Sequence, residues 1–289
     1  MHNIDYLDIM IQYSCNFSCA GCITMTDYKR SGYVSADEGL GWLDHWKLKI
    51  NPAVVCLFGG EPTMNPNLYQ WIENVRNTWP SATIKIMTNG SLLDKVNLVD
   101  YFFNFQPAIL QISLHYRENQ KRQEIKKKLI TQIKTLNKNF KIKEKDPNKP
   151  HEQFNFFAEN FEIIIAEFGE FIKPYKGYGK HMLPWNSNNI QQSHSQCGSP
   201  RNPVLYKNRL YKCGPIANLN DTLTLFNIEN KTEWQPYLEY QGNDCNDDLT
   251  TFVQQIGKPE EICSMCSSSN EGAIAHYAPD AVKVKKGKS

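Results

Sequence analysis

The sequence predicts an α/β fold of parallel βαβ units followed by a smaller α+β segment, and two observations carry that prediction. Apolar, β-rich runs recur at Tyr6–Ile11, Ala53–Phe58, Thr83–Met87, Ala108–Leu114 and Phe161–Ile165, with amphipathic helical stripes between them. The residues best suited to chemistry follow those runs: Cys15, Cys19 and Cys22 come after the first, and Gly59-Gly60-Glu61-Pro62 after the second. Parallel units bring the loops that follow their strands to one face of the sheet, so both motifs are expected to meet there.

Each element has its own signal. Ser35-Ala36-Asp37-Glu38 has the form of a capping box, and Leu40, Leu43, Trp46 and Ile50 follow at helical spacing. Asn65-Pro66 opens a second helix with an apolar stripe of Leu68, Trp71, Ile72, Val75 and Trp79, stopped by Pro80. A third, from Glu118 to about Phe140, repeats Ile125, Leu129, Ile133 and Leu136, with lysines on the other face. From Lys141 to Asn155 the chain turns polar, with Pro147 and Pro150, and reads as a surface excursion. After Phe168 the rhythm fades, which places a boundary near Gln196 and two domains at residues 1–195 and 196–289.

With 289 residues, 40% of them hydrophobic, the chain can bury a full core. It has no apolar run of membrane-spanning length and no secretory signal, so a cytoplasmic protein is expected, without a membrane partner. Nine cysteines in a reducing compartment point to metal rather than to disulfides, and seven of them cluster. The net charge of +2 is too near neutral to argue for a nucleic-acid partner on bulk charge.

Three thiolates can hold three irons of a cubane [4Fe-4S] cluster and leave the fourth open to a ligand. The CxxxCxxC spacing of Cys15, Cys19 and Cys22 fits one loop around one cluster, and a zinc knuckle or three buried structural cysteines is the alternative. This triad, Cys15-Asn16-Phe17-Ser18-Cys19-Ala20-Gly21-Cys22, together with Gly59-Gly60-Glu61-Pro62, resembles the radical S-adenosylmethionine enzymes over about the first 170 residues. The resemblance implies a partial (β/α)6 TIM-like barrel. It also implies S-adenosylmethionine chelated to the open iron and cleaved to a 5′-deoxyadenosyl radical, with a reducing partner such as a flavodoxin or ferredoxin.

By the same resemblance Gly59, Gly60, Glu61 and Pro62 form the cofactor turn. Bare glycine backbone would approach the methionyl amine, with Glu61 or nearby carbonyls accepting its protons. Thr88 and Asn89 after the third strand, and Ser113 and His115 after the fourth, stand where similar enzymes bind ribose and carboxylate; plain turn chemistry is the alternative. One departure is Gly21, at a position often aromatic in the family.

Cys197, Cys213, Cys263 and Cys266 can close a second cluster or a tetrahedral zinc, and spacing alone does not choose between them. Beside such a core their order resembles the twitch domain, a shortened SPASM domain, which implies an auxiliary [4Fe-4S] cluster with a hairpin at Leu205–Lys212 delivering Cys213. A fully ligated cluster suits electron transfer and so favours oxidation. Cys245 reads as a loop thiol, with an alternate-ligand or hydrogen-donor role as the other option, and Cys56 as core.

The short stretch before Cys15 leaves no room for a peptide-leader domain, so the expected substrate is a small molecule, dehydrogenated as by twitch-domain enzymes. Radical modification, rearrangement or epimerisation of a nucleic-acid base or a peptide is the alternative. Lys121, Arg122, Lys126, Lys127, Lys128 and the following lysines to residue 149, with the tail at 283–288, would meet a phosphate backbone, or else form a solvated face. A third option is a non-catalytic scaffold stapled by metal.

Overall fold

The computed structural model describes residues 1–28, 30–115, 119–136, 141–143, 153–158, 160–167 and 170–275. Strands β1 (His2–Gln12), β2 (Ile50–Gly59), β3 (Thr83–Thr88) and β4 (Ala108–Leu114) alternate with helices α1 (Ala36–Trp46), α2 (Leu68–Thr78) and α3 (Leu98–Asn104). Helix α4 (Asn119–Leu136) follows, then β5 (Lys141–Lys143), β6 (Gln153–Ala158), β7 (Phe161–Glu167) and β8 (Glu170–Ile172). The remainder holds α5 (Ile190–Ser195), the hairpin β9 (Val204–Tyr206) and β10 (Arg209–Tyr211), and the short helices α6 (Gly214–Ala217), α7 (Leu219–Leu225), α8 (Gln235–Leu238) and α9 (Thr250–Gln255). It ends on β11 (Ala273–Ala275).

One open sheet of nine strands runs β10-β9-β1-β2-β3-β4-β7-β6-β5, and β11 pairs with β8 apart from it. Strands β9, β1, β2, β3, β4 and β7 are parallel in sequence across the sheet. β1 is buried on both faces from Leu7 to Gln12, which is why its apolar run is continuous rather than alternating. Leu7, Ile9 and Ile11 join the helix-side core with Leu57, Ile84, Trp46 and Trp71, while Met10, Cys56 and Phe58 pack on the opposite face with Val204 and Tyr206. Ser35 caps α1 as the capping box predicts, its side chain accepting from the Glu38 amide at 3.2 Å. Gly39 lets α1 close on α2, since a Cβ there would stand 2.1 Å from the Trp71 ring.

One expectation is corrected. The excursion drawn over Lys141–Asn155 contains β5 and the start of β6, though residues 144–152 lie outside the described residues. And β6 joins β7 across two residues, a link too short for the crossover that a parallel pair needs, so this edge of the sheet is antiparallel. The sixth parallel strand is instead β9, which enters beside β1 from beyond the expected boundary at Gln196. A second core, built on Tyr175, Leu223, Trp234, Tyr237 and Met265, underlies the C-terminal elements. Among the described residues no helix is long and apolar enough to cross a membrane.

Candidate iron-sulfur and cofactor site

The loop after β1 is pinched at its base. The Val34 amide donates to Ile11 at 2.9 Å, and the Tyr13 and Ser14 amides to Gly32 at 3.0 and 3.3 Å. Within it the Cys15 Sγ accepts from the Phe17 amide at 3.3 Å and faces Asn89 Nδ2 at 3.8 Å. Burial pushes its thiol up to about 12, with Cys22 near enough to add to the rise. Cys19 is buried, and Cys22 Sγ lies 3.1 and 3.3 Å from the hydroxyls of Thr24 and Thr26. Gly21 has a φ of +69°, a backbone region an aromatic residue rarely adopts, and that accounts for the departure seen in the sequence.

The turn after β2 docks on this loop. The Gly60 amide donates to Gln12 at 2.8 Å, the Glu61 amide to Ser14 at 3.0 Å, and the Thr24 hydroxyl to Gly59 at 3.1 Å. A Cβ on Gly59 would stand 2.1 Å from the Gln12 carbonyl oxygen, and one on Gly60 1.9 Å from that of Ser14. The missing side chains therefore make room for the cysteine loop's own backbone. Pro62 opens a one-turn 3-10 helix after Glu61 and is buried.

Glu61 is fully buried and hydrogen-bonded within the protein. Its Oε1 accepts from the Thr63 amide (3.1 Å), the Thr63 hydroxyl (2.5 Å) and the Thr88 hydroxyl (2.6 Å), and its Oε2 from the Asn89 amide (2.7 Å). Three donors crowd Oε1, while Oε2 carries one and keeps a second acceptor site. Burial pushes its carboxyl up, against those four donors. Glu61 is a tie between β2 and β3.

Beyond that tie, Asn89 Nδ2 donates to Asn16 Oδ1 at 2.9 Å, and Asn16 Nδ2 to Ser91 Oγ at 2.7 Å, linking the loop after β3 to the residue that follows Cys15. Asn16 and Ser91 escaped the sequence reading because a lone Asn or Ser carries no spacing signal. Ser113 is buried on β4, accepting from Gln111 Nε2 at 3.4 Å, and His115 faces Phe171 with ring centroids 6.4 Å apart.

The second cysteine set is assembled by short elements. Lys207 and Asn208 turn the β9–β10 hairpin with φ of +48° and +60°, the pairing a two-residue hairpin needs, and Cys213 follows two residues after β10. Cys197 leaves α5, its amide donating to His194 at 3.0 Å; the Cys263 amide donates to Glu260 at 2.8 Å and the Cys266 amide to Cys263 at 3.1 Å. The thiols feel one another: burial, then Cys213, Cys197 and Cys263 push Cys266 well up, and burial followed by Cys197 brings Cys213 up to about 12. Among the described residues no three such side chains converge tightly enough for a single ion. Thiolate is the donor that a [4Fe-4S] cluster takes, and Cys15 with Cys22, and Cys197, Cys213 and Cys263 with Cys266, lie within electrostatic reach of one another. Cys245 stands apart, beside Asp244 and within the reach of Lys49, just before β2, and is brought to neither set. Cys56 is fully buried on β2, as a core thiol.

The two regions interlock. Met25 and Tyr28, just past Cys22, are buried in the C-terminal core. Arg30 donates to Asn218, to the Tyr206 hydroxyl at 2.6 Å and to Asp221 Oδ2 at 3.0 Å, with its guanidinium 5.3 Å from the Tyr13 ring centroid. On the basic helix, Arg122 and Lys126 pair with Glu167 at 3.2 and 3.7 Å, and Lys128 pairs with Asp94. The basic tail at 283–288 lies outside the described residues.

Residues 9–143 match the family model described as Radical SAM superfamily. The GTP 3′,8-cyclase of Microcystis aeruginosa is 25% identical over 118 residues, 39% of this chain and 35% of that one, and the GTP 3′,8-cyclase of Trichodesmium erythraeum is 30% identical over 100 residues, 33% and 30% of the two. The matched part thus spans about a third of those relatives. Among solved structures, that titled "Crystal structure of BtrN in complex with AdoMet and 2-DOIA" superposes with a TM-score of 0.51 at 12% identity, covering 91% of this chain and 93% of that one.

Proposed function

On the match of residues 9–143 to the Radical SAM superfamily model, we propose an enzyme of that superfamily that cleaves S-adenosylmethionine reductively and oxidises a small molecule, with an auxiliary cluster receiving the electron. The observation that carries the reading is the clamp of the Gly59–Glu61 turn onto the cysteine loop, which sets three thiols and a glycine-rich backbone at one end of the parallel strands. Cys15, Cys19 and Cys22 would hold a [4Fe-4S] cluster with one open iron. Such a group, when bound, would supply the one-electron reduction that cleaves the sulfonium of S-adenosylmethionine to methionine and a 5′-deoxyadenosyl radical.

The chain's own residues do the positioning. Asn89, fixed by Glu61 through its amide, keeps its side chain against Asn16 and the Cys15 sulfur, and so orders the loop before anything binds. Thr88 ends β3 and Asn89 follows it, Ser113 lies at the end of β4 and His115 just beyond, and these are the polar groups that would meet a bound nucleoside. Cys197, Cys213, Cys263 and Cys266 would hold the auxiliary cluster, in a twitch-like segment over 196–289. Four ligands leave it no open position, so its part is electron transfer. The clustering of these four thiols favours oxidation over rearrangement.

Iron and 5′-deoxyadenosine test the reading together. Anaerobically reconstituted protein is expected to hold about eight irons and to release 5′-deoxyadenosine under a strong reductant, and replacing Cys15, Cys19 and Cys22 by alanine to leave about four irons and no release. Release that survives the triple replacement would refute the assignment.

A further inference from the structure

The two cysteine-bearing segments touch. Ile23 follows Cys22 and Gly214 follows Cys213, and a Cβ on Gly214 would meet the Ile23 carbonyl oxygen at 3.5 Å, which is van der Waals contact. A hydrogen-bonded path runs beside that contact. Arg30, farther along the first loop and with a side chain only 8% exposed, donates to Asn218 Oδ1. Asn218 is fully buried, and its Nδ2 donates in turn to the Gly214 carbonyl at 2.8 Å. Within α6 the Asn218 amide donates to the same carbonyl at 3.0 Å, and the Ala217 amide to the Cys213 carbonyl at 3.1 Å. The Asn218 side chain therefore faces both ways: its oxygen holds the first loop, and its nitrogen holds the residue after Cys213. Arg30 is fixed besides by the Tyr206 hydroxyl at 2.6 Å and Asp221 Oδ2 at 3.0 Å, and its guanidinium lies over Tyr13, just before Ser14 and Cys15. Buried polar groups linked in this way keep one geometry, because each bond left unmade costs the desolvation of its donor and acceptor. A shift at one cysteine segment is carried to the other rather than absorbed.

We infer that Arg30 and Asn218 couple the two cysteine sets, so that iron in either set is held more tightly when the other is filled. The inference rests on the reading of Cys197, Cys213, Cys263 and Cys266 as ligands of an auxiliary cluster. A filled second set fixes the backbone at Cys213, and Asn218 passes that order to Arg30. The loop carrying Cys15, Cys19 and Cys22 then gives up less freedom in taking its own cluster. Linkage makes the effect reciprocal.

The test follows iron loss to excess chelator from reconstituted full-length protein. Wild type is compared with a protein whose Cys15, Cys19 and Cys22 are alanine and with one whose Cys197, Cys213, Cys263 and Cys266 are alanine. Independent sets would make the wild-type curve the sum of the other two, whereas coupling makes it slower than that sum by roughly fivefold or more. Arg30→Met keeps every cysteine and is expected to bring wild type up to the sum. Asn218→Asp keeps the acceptor for Arg30 but loses the donor to Gly214, and is expected to do the same. Neither should speed iron loss from a protein with one set, which a merely structural defect would. If the quadruple-alanine protein does not fold, the effect of both variants in wild type against their effect in the triple-alanine protein still decides. A wild-type curve equal to the sum, or variants that act alike in wild type and in a one-set protein, overturns the inference and leaves the auxiliary cluster standing. A triple-alanine protein without iron removes that cluster, and the inference with it.

Discussion

Glu61 carries more of the site than its place in a four-residue turn suggests. One carboxylate accepts from both backbone and hydroxyl donors of β3 and of its own turn, so its loss would strand buried donors rather than merely delete a contact. Glu61→Gln turns one acceptor into a donor amid those groups. The expected outcome is a loss of about 1–3 kcal/mol in thermal unfolding and at least a roughly tenfold fall in 5′-deoxyadenosine release. Unchanged values for both would mean that the network is not what orders the loop. The sequence made Glu61 visible through its motif but not its partners Thr63, Thr88 and Asn89, because a motif fixes which residue stands at a position and not which donors its side chain meets. Asn16 and Ser91 were invisible for a related reason: their partners are 73 and 75 residues away.

At the level of elements, the apolar runs located the five strands of the expected βαβ series, since a parallel strand buried on both faces leaves a continuous hydrophobic stretch. The three-residue strands β9 and β10 were legible only as a hairpin, through the resemblance of the segment before Cys213 to the auxiliary-cluster module. That β9 would join the sheet beside β1 was not legible, because nothing local records the partner of so short a strand. Register decides the cofactor turn as well. Gly60→Ala would place a methyl on the Ser14 carbonyl and lift the turn from the cysteine loop. Iron held by the first set is then expected to fall from about four per chain toward none while the second set keeps its own, as iron analysis of a reconstituted Gly60→Ala protein would read. Full iron content would show that the loop holds its shape without the clamp.

Across the molecule, stability should depend on pH through Asp8, a carboxylate 6% exposed on β1 with one oxygen, Oδ1, unpartnered. Burial pushes it up to about 7, against the pull of Asn202, Cys56 and Lys85. Between its ordinary value near 4 and about 7 the folded chain keeps a proton that the unfolded chain releases, so its contribution is full at low pH and is lost as pH rises through that window. Asp8→Asn imitates the protonated form. Its melting temperature relative to wild type should rise from pH 5 to pH 8, by at most a few kcal/mol in free energy, and a flat or falling difference would contradict the burial argument.

The contacts around Arg30 bear on how such a protein can be rebuilt. The loop that would hold the first cluster is seated partly in the C-terminal core, through Met25 and Tyr28, and is bolted to Asn218 and Asp221 by Arg30. A chimera that grafts a foreign C-terminal half onto this open sheet therefore inherits a loop cut for a different socket. The transplantable unit is the loop together with the hairpin and helix that receive it, and a library that exchanges one without the other mostly samples mismatched joints.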